Sequence, residues 1–154
     1  MSTEVKPEDY DIHRKYAVSL FNYVWSLLDK PERTVEEDDT MVHAAHASRY
    51  HWGQIGTPLE FARGEWQIAR VYAVLGRPQP ALYHARRCLE LCQANHIGDF
   101  DLAFAYEALA RAYAAAGEVE SCQANLRLAQ AAGAEIADKE DRDYFFTELK
   151  TAGG

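Results

Sequence analysis

Apolar side chains recur every three or four residues through most of the chain, the spacing that gathers them on one face of an α-helix. The first such stretch runs from Tyr10 to Asp29 and includes Tyr16, Leu20 and Val24. Pro31 ends it, because the residue before a proline is disfavoured in the helical conformation. Ala, Leu, Glu and Arg are common while Val, Ile and Thr are sparse, which also favours helix. The predicted fold class is all-α.

Start and stop signals divide the rest of the chain into six further helices. Thr34 with Glu37 three places later forms a capping box, which marks a helix start. Gly76, Gly117 and Gly133 each follow an apolar stretch and mark a helix end. The helices after the first are predicted over about 34–55, 58–75, 78–95, 100–116, 119–132 and 138–149.

The third and fourth predicted helices repeat in the fifth and sixth. A shift of 41 residues places identical residues on one another in the pairs Ala62/Ala103, Ala69/Ala110, Arg70/Arg111, Tyr72/Tyr113, Ala73/Ala114, Gly76/Gly117 and Arg86/Arg127. Each copy has small residues where two helices must approach closely, and a glycine at the turn. The chain therefore contains an internal repeat.

These residues resemble the tetratricopeptide repeat family. The matching positions are the small residues Ala69, Ala110, Ala81, Cys122, Cys88 and Ala129, the aromatic Tyr72 and Tyr113, and the turn glycines Gly76 and Gly117. The period of 41 residues is similar to that of the variant with extended helices and a Gly-Asp turn, here Gly98 and Asp99. The resemblance covers residues 59–132 and implies a right-handed superhelix of antiparallel helical hairpins.

On this interpretation the chain is one domain made of about three hairpins and a capping helix. The domain spans 1–154, with a divergent first hairpin over 10–55, repeats over 57–96 and 99–133, and a capping helix over 138–149. Short arrays often need a cap or a partner to cover their ends. The last helix, with Tyr144, Phe145, Phe146 and Leu149, could provide either the cap or the contact of a homodimer.

The resemblance implies that the first helix of each hairpin lines a concave groove that binds a protein or a peptide. The candidate binding residues are Arg63, Trp66, Arg70, Phe104, Glu107 and Arg111. Arg70 and Arg111 occupy equivalent positions, and a guanidinium group binds carboxylates through paired hydrogen bonds. We therefore expect a binding or scaffolding module for an acidic peptide or a partner helix. The alternative is that both arginines pair with neighbours such as Glu65 or Glu107 and only support the fold.

A second candidate site lies on the polar face of the second predicted helix. Asp39, His43 and His46 follow one another there at intervals of four and three residues. Two imidazoles and a carboxylate can bind Zn²⁺ or a similar divalent ion if another helix supplies a further ligand. The same row could act as a general base near neutral pH, or could be an ordinary solvated helix face. A metal- or small-ligand-binding protein is therefore the alternative function.

The fourth predicted helix carries a stripe of His84, Cys88, Cys92 and His96 at four-residue steps. Its ends are about 18 Å apart at 1.5 Å per residue, so only adjacent pairs could share an ion. Unpaired cysteines mostly pack as small apolar residues, which is the role we expect for them here. No motif identifies a reaction, and this favours a binding protein without a cofactor over an enzyme.

Charge and cysteine content narrow the partners further. The formal net charge of −8 argues against nucleic acid and anionic membranes, which attract clustered Lys and Arg. No apolar run is long enough to span a membrane, and the first ten residues do not resemble a secretory signal. Three cysteines, an odd number, favour reduced thiols. We therefore expect a cytoplasmic location.

Overall fold

The computed structural model describes residues 5–153, which contain seven α-helices and no strand. The helices are α1 (Pro7–Leu28), α2 (Val35–Ile55), α3 (Pro58–Val74), α4 (Pro78–Ala94), α5 (Asp99–Ala115), α6 (Val119–Ala134) and α7 (Lys139–Leu149). The all-α prediction is confirmed; the outermost parts of the predicted domain, residues 1–4 and 154, lie outside the described range. Within that range, no helix has the length and apolarity to cross a bilayer.

Consecutive helices pack on one another. The closest partners are α1 with α2, α3 with α4, and α5 with α6, each pair joined by a short loop that returns the chain. The first helix of each pair also contacts the first helix of the next, so that α1, α3 and α5 lie side by side. Helix α7 packs against α5 and α6 at the end of this row.

The two turns of the sequence repeat have the same backbone geometry. Gly76 and Gly117 adopt φ values of 69° and 74°, a left-handed conformation that costs other residues free energy. The next amide in each turn donates back over the glycine, from Arg77 to the Tyr72 carbonyl at 2.9 Å and from Glu118 to the Tyr113 carbonyl at 3.0 Å. This is the Schellman arrangement, and it closes α3 and α5 in the same way.

Small residues form the contact between the helices of each repeat. The equivalent pairs Ala62/Ala103, Ala69/Ala110, Ala81/Cys122 and Cys88/Ala129 are all buried. The first hairpin is different, since its core uses larger side chains such as Val24, Leu27 and Met41, packed on Ile68 and Val71 of α3. Ala44 and Ala45 belong to the same core, so the first hairpin combines large and small side chains where the other two use mainly small ones.

The predicted start of α2 agrees with the structure, whereas the predicted end of α6 does not. The capping box of Thr34 and Glu37 is present at α2, with the Glu37 amide donating to the Thr34 hydroxyl at 3.1 Å. The prediction that Gly133 ends the sixth helix is wrong, because α6 continues through it to Ala134. A Cβ at Gly133 would lie 2.6 Å from Cδ1 of Phe145. This glycine is therefore needed for the close approach of α7.

Candidate ligand groove

A groove of about 410 Å³ opens between α1, α3, α5 and α7. Aromatic rings from all four helices line it: Phe21, Trp25, Trp66, Phe100, Phe104 and Tyr144. Its charged lining residues are Arg63, Asp101 and Asp141. Pockets that hold small ligands span about 300–1,000 Å³ and combine apolar walls with a few polar groups. The groove meets both criteria, and it contains the predicted residues Arg63, Trp66 and Phe104.

The floor of the groove follows the repeat into the first hairpin. Trp25 of α1 and Trp66 of α3 are 41 residues apart, and their ring centroids are separated by 5.4 Å. The next equivalent position is Glu107 of α5, whose carboxylate accepts a hydrogen bond from Trp66 Nε1 at 3.3 Å. Trp25 was not among the predicted site residues. Extending the same shift by one further repeat would have found it.

Phe104 joins this floor to α7. Its ring lies edge-on to Trp66, with centroids 5.4 Å apart, and edge-on to Phe145 at 4.9 Å. Tyr144 and Phe100 contact the same ring at 6.1 and 4.7 Å. Helix α7 therefore forms a wall of the groove, a role beyond the cap or dimer contact predicted from the sequence.

The matched arginines of the repeat converge on a single buried carboxylate. The Glu107 side chain is completely buried, and its Oε1 accepts from Arg111 Nε at 2.6 Å and lies 3.9 Å from Arg70 Nη1. Arg70 also pairs with Glu148 of α7. Arg111 donates to the Glu148 carbonyl and to the Thr151 hydroxyl, at 3.3 and 2.8 Å.

The guanidinium groups of Arg70 and Arg111 thus fasten α7 to α3 and α5. The arrangement corresponds to the alternative in which both arginines pair with Glu107 within the chain. It also leaves both side chains mostly shielded from solvent. Their binding of an external carboxylate stays a prediction, and this geometry does not favour it.

Arg63 lies at the mouth of the groove, with about half of its side chain exposed. It donates from Nε and Nη2 to the two carboxylate oxygens of Asp101, at 2.8 and 3.2 Å. This paired hydrogen bond raises the pKa of Arg63, against the opposing effect of burial. A smaller cavity of about 220 Å³ adjoins the groove and shares Phe21 and Arg63 with it. Glu60, the repeat equivalent of Asp101, lines that second cavity.

The histidine candidates of the second and fourth helices meet on another part of the molecule. His46 Nε2 lies 2.8 Å from the Tyr72 hydroxyl, and His84 Nδ1 lies 2.6 Å from a Glu65 carboxylate oxygen. The two imidazole centroids are 5.3 Å apart. Burial lowers the pKa of His46, and electrostatic repulsion from His84 lowers it further, while Glu65 opposes both. This site therefore favours a neutral His46.

The proposed metal ligands do not close around a common point. His46 faces Tyr72 and His84, while Asp39 and His43 are exposed. Across residues 5–153, no three His, Cys, Asp or Glu side chains are arranged to hold a metal ion. The metal-binding alternative stays a prediction without support from this geometry.

The cysteines of the fourth and sixth helices are unpaired and buried, as expected for small packing residues. A hydrogen bond with Cys92 raises the pKa of the Cys88 thiol, and burial raises it further.

Comparison of the chain with protein families, curated proteins and solved structures found no match.

Proposed function

We propose that the chain is a tetratricopeptide-like binding module whose groove holds a short linear segment of a partner protein. One long side chain of that segment would enter among the aromatic rings of α1, α3, α5 and α7. The observation that carries the proposal is the aromatic cavity of about 410 Å³, open at the surface. Aromatic surface left accessible to water forgoes hydrophobic stabilisation, and contiguous patches of it often mark binding sites.

The repeat supports the tetratricopeptide-like part of the proposal. The equivalent turns at Gly76 and Gly117 and the buried alanine pairs give α3/α4 and α5/α6 a common internal geometry. The side-by-side placement of α1, α3 and α5 is what a right-handed superhelix of hairpins requires on its inner face. In such an array, the first helices present the binding surface, and the groove lies on them.

The size of the groove decides what kind of ligand it suits. Its volume lies at the small end of the range for ligand pockets. A side chain and its adjoining backbone therefore fit, whereas a folded domain would contact only the rim. The adjoining cavity beside Phe21 and Arg63 offers room for a neighbouring residue of the same segment.

Tryptophan fluorescence can test this proposal directly, because Trp25 and Trp66 line the groove. The protein is titrated with pools of short degenerate peptides that differ only in one fixed central residue. Tyr144→Ala removes an exposed ring from the groove wall, and Tyr50→Ala makes the same change on an exposed part of α2. We expect at least one pool to bind, and Tyr144→Ala to weaken that binding by about three- to tenfold.

Tyr50→Ala should bind the same pool as tightly as the unmodified protein. Thermal unfolding of both variants verifies that they fold, since each removes a side chain that is about half exposed or more. The proposal fails if no pool changes the fluorescence at the highest soluble concentration. It also fails if the two tyrosine variants weaken binding equally.

A further inference from the structure

The charges around the groove are predominantly negative. Arg63 and Asp101 are paired through two hydrogen bonds and largely cancel one another. Asp141 is exposed on the first turn of α7, and no Lys, Arg or His in residues 5–153 forms an ion pair with it. The groove therefore has one carboxylate more than its own cations neutralise.

The field at Tyr144 has the same sign. Burial raises the pKa of this hydroxyl, and Glu148, Asp29 and Glu107 each raise it further, while only Arg70 acts in the opposite direction. Arg70 and Arg111, which fasten α7 to α3 and α5, already share Glu107 and Glu148. Among the described residues that line the groove, Arg63 is the one cation, and its pairing with Asp101 makes it a poor receptor for an acidic ligand.

The aromatic lining offers a second kind of attraction to a cation. The face of an indole or phenyl ring carries partial negative charge, and a cation over it gains about 0.5–2 kcal/mol, depending on desolvation. The protein uses this interaction internally, where the Arg70 guanidinium lies 5.7 Å from the Trp66 ring centroid. Trp25 and Trp66 stand side by side in the groove, together with Phe21 and Tyr144.

We infer that the side chain entering the groove is an organic cation, the ammonium of a lysine or the guanidinium of an arginine in the partner's segment. Its apolar stem packs between the rings, and its charged end lies against the Trp25 and Trp66 faces within reach of the Asp141 carboxylate. This inference rests on the proposed function and specifies its ligand. The partner segment is therefore basic, in contrast to the acidic peptide expected from the arginine pair.

The experiment compares peptide pools that share their degenerate flanks and differ only at the central residue. Lysine, trimethyl-lysine and arginine supply the cation, norleucine supplies a neutral stem of similar length, and glutamate supplies an anion. We expect the cationic pools to bind about three- to thirtyfold more tightly than the norleucine pool. The preference should shrink as salt is added, because the carboxylate contribution is screened.

A matched pair of variants assigns the preference to the groove. Asp141→Asn and Glu140→Gln each remove one negative charge from the first turn of α7, so they alter the helix dipole interaction and the net charge alike. Only Asp141 lines the groove. We expect Asp141→Asn to reduce the lysine-over-norleucine preference by about threefold or more, and Glu140→Gln to leave it unchanged.

The outcomes separate this inference from the function on which it rests. If norleucine or glutamate binds as tightly as lysine, the cation is excluded while the peptide-binding module stands. Equal effects of Asp141→Asn and Glu140→Gln would also overturn the inference, because the carboxylate in the groove would then play no special part. If no pool binds, whatever its central residue, the proposed function fails together with the inference.

Discussion

The α3/α4 and α5/α6 hairpins share their packing residues and differ at the residues that surround the groove. Both bury the same pattern of alanines and close on a glycine in the left-handed conformation. At one equivalent position, however, α3 carries Trp66 and α5 carries Glu107. At another, α4 carries the buried Cys92 and α6 carries Gly133. The shared residues determine how helices pair, while the differing residues determine where α7 docks and where the groove ends.

The exchange of Trp66 for Glu107 illustrates this division. The indole of Trp66 contributes an apolar surface to the groove, whereas the carboxylate of Glu107 forms ion pairs with Arg70 and Arg111 beneath α7. One position in the repeat thus forms the groove floor in one hairpin and the attachment of the last helix in the next. The following predictions test whether α7 depends on these differing residues.

The largest effect is expected from Glu107→Gln. It leaves two largely buried guanidinium groups without their shared counter-charge, and breaking a buried ion pair in this way costs about 3–5 kcal/mol. Urea unfolding followed by far-ultraviolet circular dichroism measures the loss. Glu90→Gln is the matched control, because Glu90 is exposed and pairs with Arg87 at the surface. That variant should lose less than about 1 kcal/mol. Similar losses in the two variants would show that the buried cluster does not hold α7.

A smaller loss is expected from Gly133→Ala, which makes α6 resemble α4 more closely. The new methyl group would overlap the Phe145 ring, and overpacking of this kind costs about 1–3 kcal/mol. That cost is partly offset by up to about 1 kcal/mol of improved helix propensity. Limited proteolysis should release α7 sooner, and urea unfolding should show a net destabilisation.

Gly53→Ala is the control for the glycine substitution. Gly53 lies within α2, where an added Cβ would meet only the end of the flexible Arg49 side chain at 3.1 Å. This variant gains the helix propensity without displacing a ring, so we expect it to be unchanged or slightly stabilised. If Gly133→Ala were stabilised to the same degree, the close contact with Phe145 would have no energetic weight.

The sequence predicts local structure well because the signals for it are local. The capping box at Thr34 and the turn glycines Gly76 and Gly117 act through neighbouring backbone groups, and each is found where it was predicted. Gly133 carries the same signal without ending its helix. Its environment is set by the ring of Phe145, which belongs to another helix, α7.

The groove and the ion pairs beside it are less predictable, because their side chains contact residues that are distant in the sequence. The sequence showed that Arg70 and Arg111 occupy equivalent positions of the repeat. Their common partner is Glu107, whose complete burial the spacing of residues does not reveal. Trp25 was missed because the first hairpin lacks the alanines and glycine that identify the other two. Asp141 was missed because an acid in the first turn of a helix has an ordinary explanation in the helix dipole.

The smallest predicted effect is a dependence of stability on pH. It should distinguish the two equivalent tyrosines of the repeat. The Tyr72 hydroxyl lies 2.8 Å from Nε2 of His46, whereas the Tyr113 hydroxyl accepts from Arg86 Nη2 at 3.3 Å. Arginine keeps its charge at all accessible pH values, but histidine titrates near neutrality. Acid should therefore weaken the contact around Tyr72 and spare the one around Tyr113.

The direction of this pH effect follows from the lowered pKa of His46. Burial lowers that pKa, and His84 and His43 lower it further, while Glu65 raises it. In the unfolded chain, His46 takes up a proton at its ordinary pKa of 6.5, before the folded protein does. The contribution of a neutral His46 to stability is thus fully present above that pH and decreases as the pH falls below it. Thermal unfolding between about pH 7.5 and 5 measures the slope.

His46→Asn should reduce this slope, whereas His96→Asn makes the same change at an exposed turn whose left-handed conformation asparagine tolerates. Part of the slope should survive in the first variant, because burial and His13 also lower the pKa of His51. Identical slopes in the His46→Asn variant and the unmodified protein would show that His46 does not couple protonation to folding. A slope reduced equally by His96→Asn would show that the effect belongs to histidines in general and not to the contact with Tyr72.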